Sequence, residues 1–143
     1  MERAEWLEHM RRNAEALYDR FSTRYWVTWG KVVEETHRAY LQKFLERMPP
    51  GGRILSAACG AGRFDGILLE AGHSVVGIDQ SAGVLKLAKE HFPKVEYKKM
   101  ALHEMNFHEM FDGVICMDAM EHICPEDYPG ILRGFQEALK PGG

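Results

Sequence analysis

Arg53-Ile54-Leu55-Ser56-Ala57-Ala58-Cys59-Gly60-Ala61-Gly62-Arg63-Phe64 is the stretch whose reading decides the fold. A short apolar run stops at a glycine-rich turn, and Phe64, Ile67, Leu68 and Ala71 then resume at helical spacing. That is a strand, a tight loop and a helix start. Downstream, Ser74-Val75-Val76-Gly77-Ile78-Asp79 is a near-continuous apolar run closed by an acid, the mark of a strand buried on both faces. Strand, glycine loop, helix, strand and acid, in that order, build a nucleotide-type pocket at the carboxyl ends of an open α/β sheet.

Upstream, Leu7, Met10, Ala14, Leu17, Tyr18 and Phe21 recur in steps of three and four and predict an amphipathic helix over 4–21. The period breaks at Tyr25, Trp26 and Trp29. A second helix over 31–47 carries Val33, His37, Tyr40, Leu41 and Phe44 on one face and ends at Pro49-Pro50. Downstream, Gly72 closes the helix after the loop, and Ser81 N-caps another that carries Val84, Leu85 and Ala88. Val95 to Lys98 alternates as a strand, 100–110 is a polar loop, and Phe111 to Met117 is a further buried strand. Pro125 opens a last helix, which Lys140-Pro141-Gly142-Gly143 stops. Two leading helices followed by β-α-β-α-β-loop-β-α predict an α/β, Rossmann-like αβα domain of three layers with a parallel sheet. Residues 1–143 form a single domain in this reading, with a helical lid over 1–50 and a core over 51–143.

The net charge of −3, with basic residues scattered, leaves no electrostatic footprint for nucleic acid or an anionic membrane. No apolar run approaches the ~20 residues of a membrane helix, and the N-terminal residues lack the apolar centre of a leader. The cysteines, Cys59, Cys116 and Cys124, have no paired metal spacing and read as reduced thiols of a cytoplasmic protein. His103 and His108 have no partner at ligand spacing, so no metal is expected.

Gly60 and Gly62 let a ligand approach the backbone, and the helix start offers free N–H groups. Asp79 is placed to accept hydrogen bonds from ribose hydroxyls. A dinucleotide loop needs a third glycine three residues after Gly62, and Asp65 stands there instead. A carboxylate in the first helical turn repels a pyrophosphate and competes for its N–H groups, which disfavours a nicotinamide-dependent dehydrogenase.

Ile54 to Phe64 resembles the first motif of the class I S-adenosylmethionine-dependent methyltransferases. His73 to Ser81 is similar to their second strand with its ribose-binding acid, and Phe111 to Cys116 to their fourth strand. Ala138 to Gly143 is similar to the turn before their fifth strand. Tyr18-Asp19-Arg20-Phe21-Ser22-Thr23-Arg24-Tyr25 resembles the N-terminal lid of the small-molecule branch. The resemblance implies S-adenosylmethionine as cofactor, S-adenosylhomocysteine as product and a small-molecule acceptor. Ala58, Cys59, Gly60 and Gly62 then border the methionine part of the cofactor, Asp79 holds the ribose, and Gln80, Ala101 and Leu102 border the adenine. Met117 and Asp118 stand at the end of the fourth strand beside the methionine part of the cofactor, and Tyr18 and Tyr25 close over the methyl group.

Three positions depart from the family pattern: Ser56 replaces an acid, Ala58 the first glycine, and Ala101 (or Met100, one register away) an adenine-contacting Asp. No strand follows Pro141-Gly142-Gly143, so the C-terminal part of the usual sheet is absent and the fourth strand is left as an apolar edge. A homodimer or a partner chain is expected to cover it. The alternative to an enzyme is therefore a non-catalytic module, or a piece of a longer chain, that binds a partner through this edge. If the acceptor must lose a proton, Asp118, Glu121 and His122 follow the fourth strand. His122 is the candidate base, because imidazole exchanges protons nearest neutral pH. Trp26 and Trp29 either pack between the leading helices or form an aromatic wall for the acceptor.

Overall fold

The computed structural model describes all residues from Met1 to Gly143. At its centre β1 (Arg53–Ala57) alternates side chains between two buried faces, Ile54 on one and Leu55 and Ala57 on the other. β2 (Ser74–Asp79) pairs with one side of β1 and β4 (Gly113–Ile115) with the other. β3 (Glu96–Lys99) pairs with β2, giving a wholly parallel sheet of order β3-β2-β1-β4. Its carboxyl ends gather the Ala57–Gly62 loop, Asp79 and the residues after Ile115.

Both faces are covered. On one, α2 (Glu35–Leu45) and α3 (Asp65–Glu70) bring Leu41 and Leu68 against Ile54, Val75 and Ile115. On the other, α5 (Tyr128–Ala138) brings Ile131 and Ala138 against Leu55, Val76 and Phe111. Each fully buried Leu, Ile or Phe in these clusters contributes roughly 1.5–3 kcal/mol. α4 (Ala82–His91) starts on Ser81, whose Oγ accepts from the Val84 N–H, as an N-cap should.

The leading helix differs from expectation. α1 runs Arg3–Tyr25 and continues through one π turn, Trp26–Gly30, rather than ending near Phe21. Ser22 is buried against Gly83 of α4, where an added Cβ would lie 2.5 Å from its Oγ, so the helix is held past the break in apolar period. The aromatic residues that caused the break serve separate surfaces. Tyr25 lies over Gly60, and Trp26 stacks on His91 with ring centroids 3.6 Å apart. Trp26 thus packs on the end of α4 rather than between the leading helices, and Trp29 is more than half exposed. A π turn realigns side chains in this way, and such turns recur at functional sites.

β4 is shorter than the apolar run predicts. Phe111 turns its backbone the other way and bridges Leu139, its N–H donating to the Ala138 carbonyl and its own carbonyl accepting from Lys140 N–H. β4 is thus the outermost strand on this side of the sheet. The loop over 100–110 contains a short 3₁₀ turn, Leu102–Glu104, and another, Pro125–Asp127, leads into α5. No helix is long and apolar enough to cross a membrane.

Candidate functional site

The loop leaving β1 has three residues in the left-handed region: Ala58 (φ 51), Gly60 (φ 56) and Gly62 (φ 81). Only glycine adopts that conformation without strain, so Ala58 is strained. The glycines differ in what they face. A Cβ on Gly60 would lie 2.7 Å from the Tyr25 hydroxyl, on the side of the lid helix. A Cβ on Gly62 would meet the Tyr97 hydroxyl at 2.7 Å and Phe92 at 2.9 Å, so this residue faces the core rather than a cavity.

Asp79 fixes the loop from the neighbouring strand. Its Oδ2 accepts from the Gly60 N–H at 2.9 Å and its Oδ1 from the Ser81 N–H at 3.0 Å. Burial pushes its carboxyl pKa up, while those N–H groups pull it back. Each oxygen keeps a further lone pair for a ligand hydroxyl.

Asp79, Gln80, Ala58, Gly60, Ala101 and Leu102 line one side of a cavity of about 340 Å³, and α1 covers the other with Ala14, Leu17 and Tyr18. A wider cavity of about 990 Å³ opens beside it, walled by Phe21, Trp29, Tyr40 and Phe44. Between them, a gap of about 20 Å³ touches Ser56, Cys59, Arg63 and Met117, which is room for one water. Tyr25 and Asp118 border all three spaces, and Tyr18 and His122 border the two large ones. Tyr25 is pushed up to about 12 by burial, against the pull of Arg63, and burial likewise raises Tyr18. Both therefore act as neutral hydroxyls.

Asp118 leaves β4 at φ 52, a left-handed conformation unusual for a non-glycine residue. Its Oδ2 accepts from Arg63 Nη2 at 2.7 Å and pairs with His37 Nε2 at 2.8 Å. His122 is about half exposed, 3.7 Å from Glu121 through Nε2, with its ring edge-on to Tyr18 at 6.0 Å. No group of His, Cys, Asp and Glu side chains in the structure is arranged to hold a metal ion.

One reading changes. Asp65 does not compete for the loop N–H groups; it is completely buried, its Oδ2 accepting from the Tyr97 hydroxyl at 2.7 Å. Its Oδ1 has no hydrogen-bond partner, though the Ser56 hydroxyl is close by. Cys59 is pushed well above the ordinary thiol range by burial, as is Cys116, to about 11, which leaves both unreactive. Sequence reasoning passed over His37 and Arg63 as site residues. Their partner stands 81 and 55 positions away, and nothing local marks such a pairing.

Residues 54–143 match the family model described as a methyltransferase domain. The chain belongs to the class I S-adenosylmethionine-dependent methyltransferases. It is 33% identical over 99 residues to the ubiquinone biosynthesis O-methyltransferase of Bordetella avium, covering 65% of this chain and 40% of the relative. Against the enzyme of that name from Rhodopseudomonas palustris, identity is 30% over 148 residues, covering 90% of this chain and 57% of the relative. Among solved structures, the Burkholderia thailandensis 1,6-didemethyltoxoflavin-N1-methyltransferase superposes with a TM-score of 0.73 at 20% identity. That match covers 99% of this chain and 61% of the other. The methyltransferase chain thus spans about half the length of the curated relatives it matches.

The family's cofactor is S-adenosylmethionine, and the first cavity suits it. Asp79 borders it with a lone pair free on each oxygen, and the apolar residues Met100, Ala101 and Leu102 line it.

Proposed function

We propose that this methyltransferase chain holds S-adenosylmethionine in the 340 Å³ cavity and a small-molecule acceptor in the aromatic-walled one. The observation that carries the reading is the seam where Tyr25 and Asp118 border both spaces. When bound, the cofactor supplies an electrophilic methyl group on a sulfonium and leaves as S-adenosylhomocysteine.

The chain's own residues bind, align and exclude water. Asp79 accepts from the ribose hydroxyls, Gln80, Ala101 and Leu102 border the adenine, and Cys59 and Met117 flank the methionine part. Gly62 shapes the loop from the core side. Tyr18 and Tyr25 close the seam from α1, keeping bulk water from the sulfonium. His122, on the wall shared by both cavities, takes the proton of an acceptor hydroxyl or N–H and releases it to solvent. An aromatic or otherwise flat apolar acceptor suits the walls of the wider cavity.

Calorimetric titration with S-adenosylmethionine and S-adenosylhomocysteine tests this. Saturable binding of both, weakened at least about tenfold in Asp79→Ala, is expected. No heat at millimolar ligand would overturn the reading.

A further inference from the structure

Asp118 is held more firmly than a residue at the end of an edge strand needs to be. Its backbone is in the left-handed region, uncommon outside glycine though open to Asp, and the surroundings hold it there. Two side chains do so from different parts of the fold. Arg63, from the glycine loop, reaches Oδ2 at 2.7 Å while its Nη1 donates to the Val32 carbonyl at 3.2 Å. His37, from α2, approaches the same oxygen at 2.8 Å.

The tautomer of His37 follows from its other nitrogen. The Glu34 backbone N–H donates to Nδ1 at 3.1 Å, so Nδ1 carries no proton and Nε2–H is the donor to Asp118. The side chains of Arg63 and His37 are only 11% and 12% exposed, whereas Asp118 is 47% exposed. All the restraint therefore falls on Oδ2. Oδ1 makes no hydrogen bond to the protein, and its residue borders both large cavities at their seam.

We infer that His37 and Arg63 are positioning residues that hold Asp118 for the acceptor, so that its free Oδ1 takes a hydrogen bond from the acceptor's hydroxyl or N–H. This rests on the acceptor assignment of the wider cavity. A carboxylate clamped in this way orients the nucleophile: Oδ1 holds the acceptor's proton until methyl transfer frees it, and His122, on the same wall, then carries that proton to solvent. The arrangement selects acceptors that carry a donor: a ring lacking one leaves the site unpaired, and such sites discriminate strongly. Glu34, Glu121 and His122 face the same cavity, so its polar wall lies at the Asp118 end and its apolar wall at Phe21, Trp29 and Phe44.

The test uses 2-naphthol and its methyl ether, 2-methoxynaphthalene, titrated without cofactor against the quenching of tryptophan fluorescence. Wild type is expected to prefer the naphthol by at least about tenfold. His37→Phe and Asp118→Asn should cut that preference to within about threefold, while His37→Gln, whose Nε2–H imitates the imidazole donor, keeps it. S-adenosylhomocysteine affinity, measured separately on the two His37 variants, should stay within about twofold of wild type. Equal affinity of wild type for the two naphthalenes overturns the inference, and so does a preference that His37→Phe leaves intact. A parallel fall in S-adenosylhomocysteine affinity also overturns it, because Asp118 would then serve the cofactor. A wild type that binds no S-adenosylhomocysteine fails the methyl-donor reading instead, and the naphthalene comparison still decides the acceptor residue.

Discussion

Ala58 carries backbone strain at the candidate site. Its φ of 51 is one that glycine adopts freely and alanine does not. Relieving the strain recovers about 1–2 kcal/mol, part of which returns to the unfolded chain as glycine's extra freedom. Ala58→Gly is therefore expected to be more stable by about 0.5–1 kcal/mol and to melt about 2–4 °C higher in calorimetry. An unchanged or lowered melting temperature would mean that the methyl group earns its place by packing. Asp65 makes a second prediction with a defined sign. Burial raises its carboxyl from the ordinary 3.8 to about 6, against the pull of the Ser56 and Tyr97 hydroxyls. The folded state therefore binds this proton more tightly than the unfolded state, and the associated stability is fully present below pH 3.8 and is lost as pH rises through about 6. Asp65→Asn does not titrate, so its stability relative to wild type should grow by roughly 2 kcal/mol between about pH 4 and pH 7. Denaturant melts at the two pH values check it, and a gap that does not widen rejects it. Asp79 and Gly60 are legible in the sequence because a strand end and a tight loop mark them locally. The burial of Asp65 and the His37–Arg63–Asp118 cluster are not, since each depends on contacts between elements distant in the chain.

At the scale of elements, the join between α1 and α4 does most to place the lid. Val84 N–H donates to Ser81 Oγ, and the Ser81 hydroxyl donates to Asp19 Oδ1 at 2.6 Å, so a residue of α1 completes the cap of α4. The Gly83 N–H donates to the same Asp19 oxygen at 3.1 Å. The Ser81 hydroxyl, followed by the Gly83 N–H, lowers the Asp19 pKa, so the carboxylate stays charged and the contact persists at neutral pH. Asp19→Ala should cost about 0.5–1 kcal/mol, as loss of a cap does, and speed amide exchange at Gly83 and Val84 by about two- to fivefold. Unaltered exchange there would show that Ser81 caps the helix unaided. The Ser81 cap is readable from sequence, being a serine just ahead of an apolar period. The continuation of α1 past Phe21 is not. Periodicity detects one apolar face, while Tyr25, Trp26 and Trp29 address different surfaces through a π turn.

Across the whole molecule, the order of strands and glycine loop makes the parallel sheet legible, because β-α-β alternation leaves few topologies to consider. What it does not reveal is that α1 forms a wall of the cavity. Ala14, Leu17 and Tyr18 of α1 line the 340 Å³ cavity together with Asp79. The helix is tied down by Arg11 to Asp127, at 2.6 Å, and by Lys99 to Glu15, also at 2.6 Å. These ties are partly or largely exposed and individually weak, whereas the sheet beneath is anchored by two buried clusters. A ligand entering the cavity therefore displaces α1 before it disturbs the core, and once inside it gains contact with both. Hydrogen–deuterium exchange with saturating S-adenosylhomocysteine should show slowing along 10–25 together with 58–62 and 79–82, and little change over 131–138 of α5. Slowing confined to 58–62 and 79–82, with α1 exchanging as in the free chain, would mean that the helix only borders the cavity and takes no part in holding what fills it.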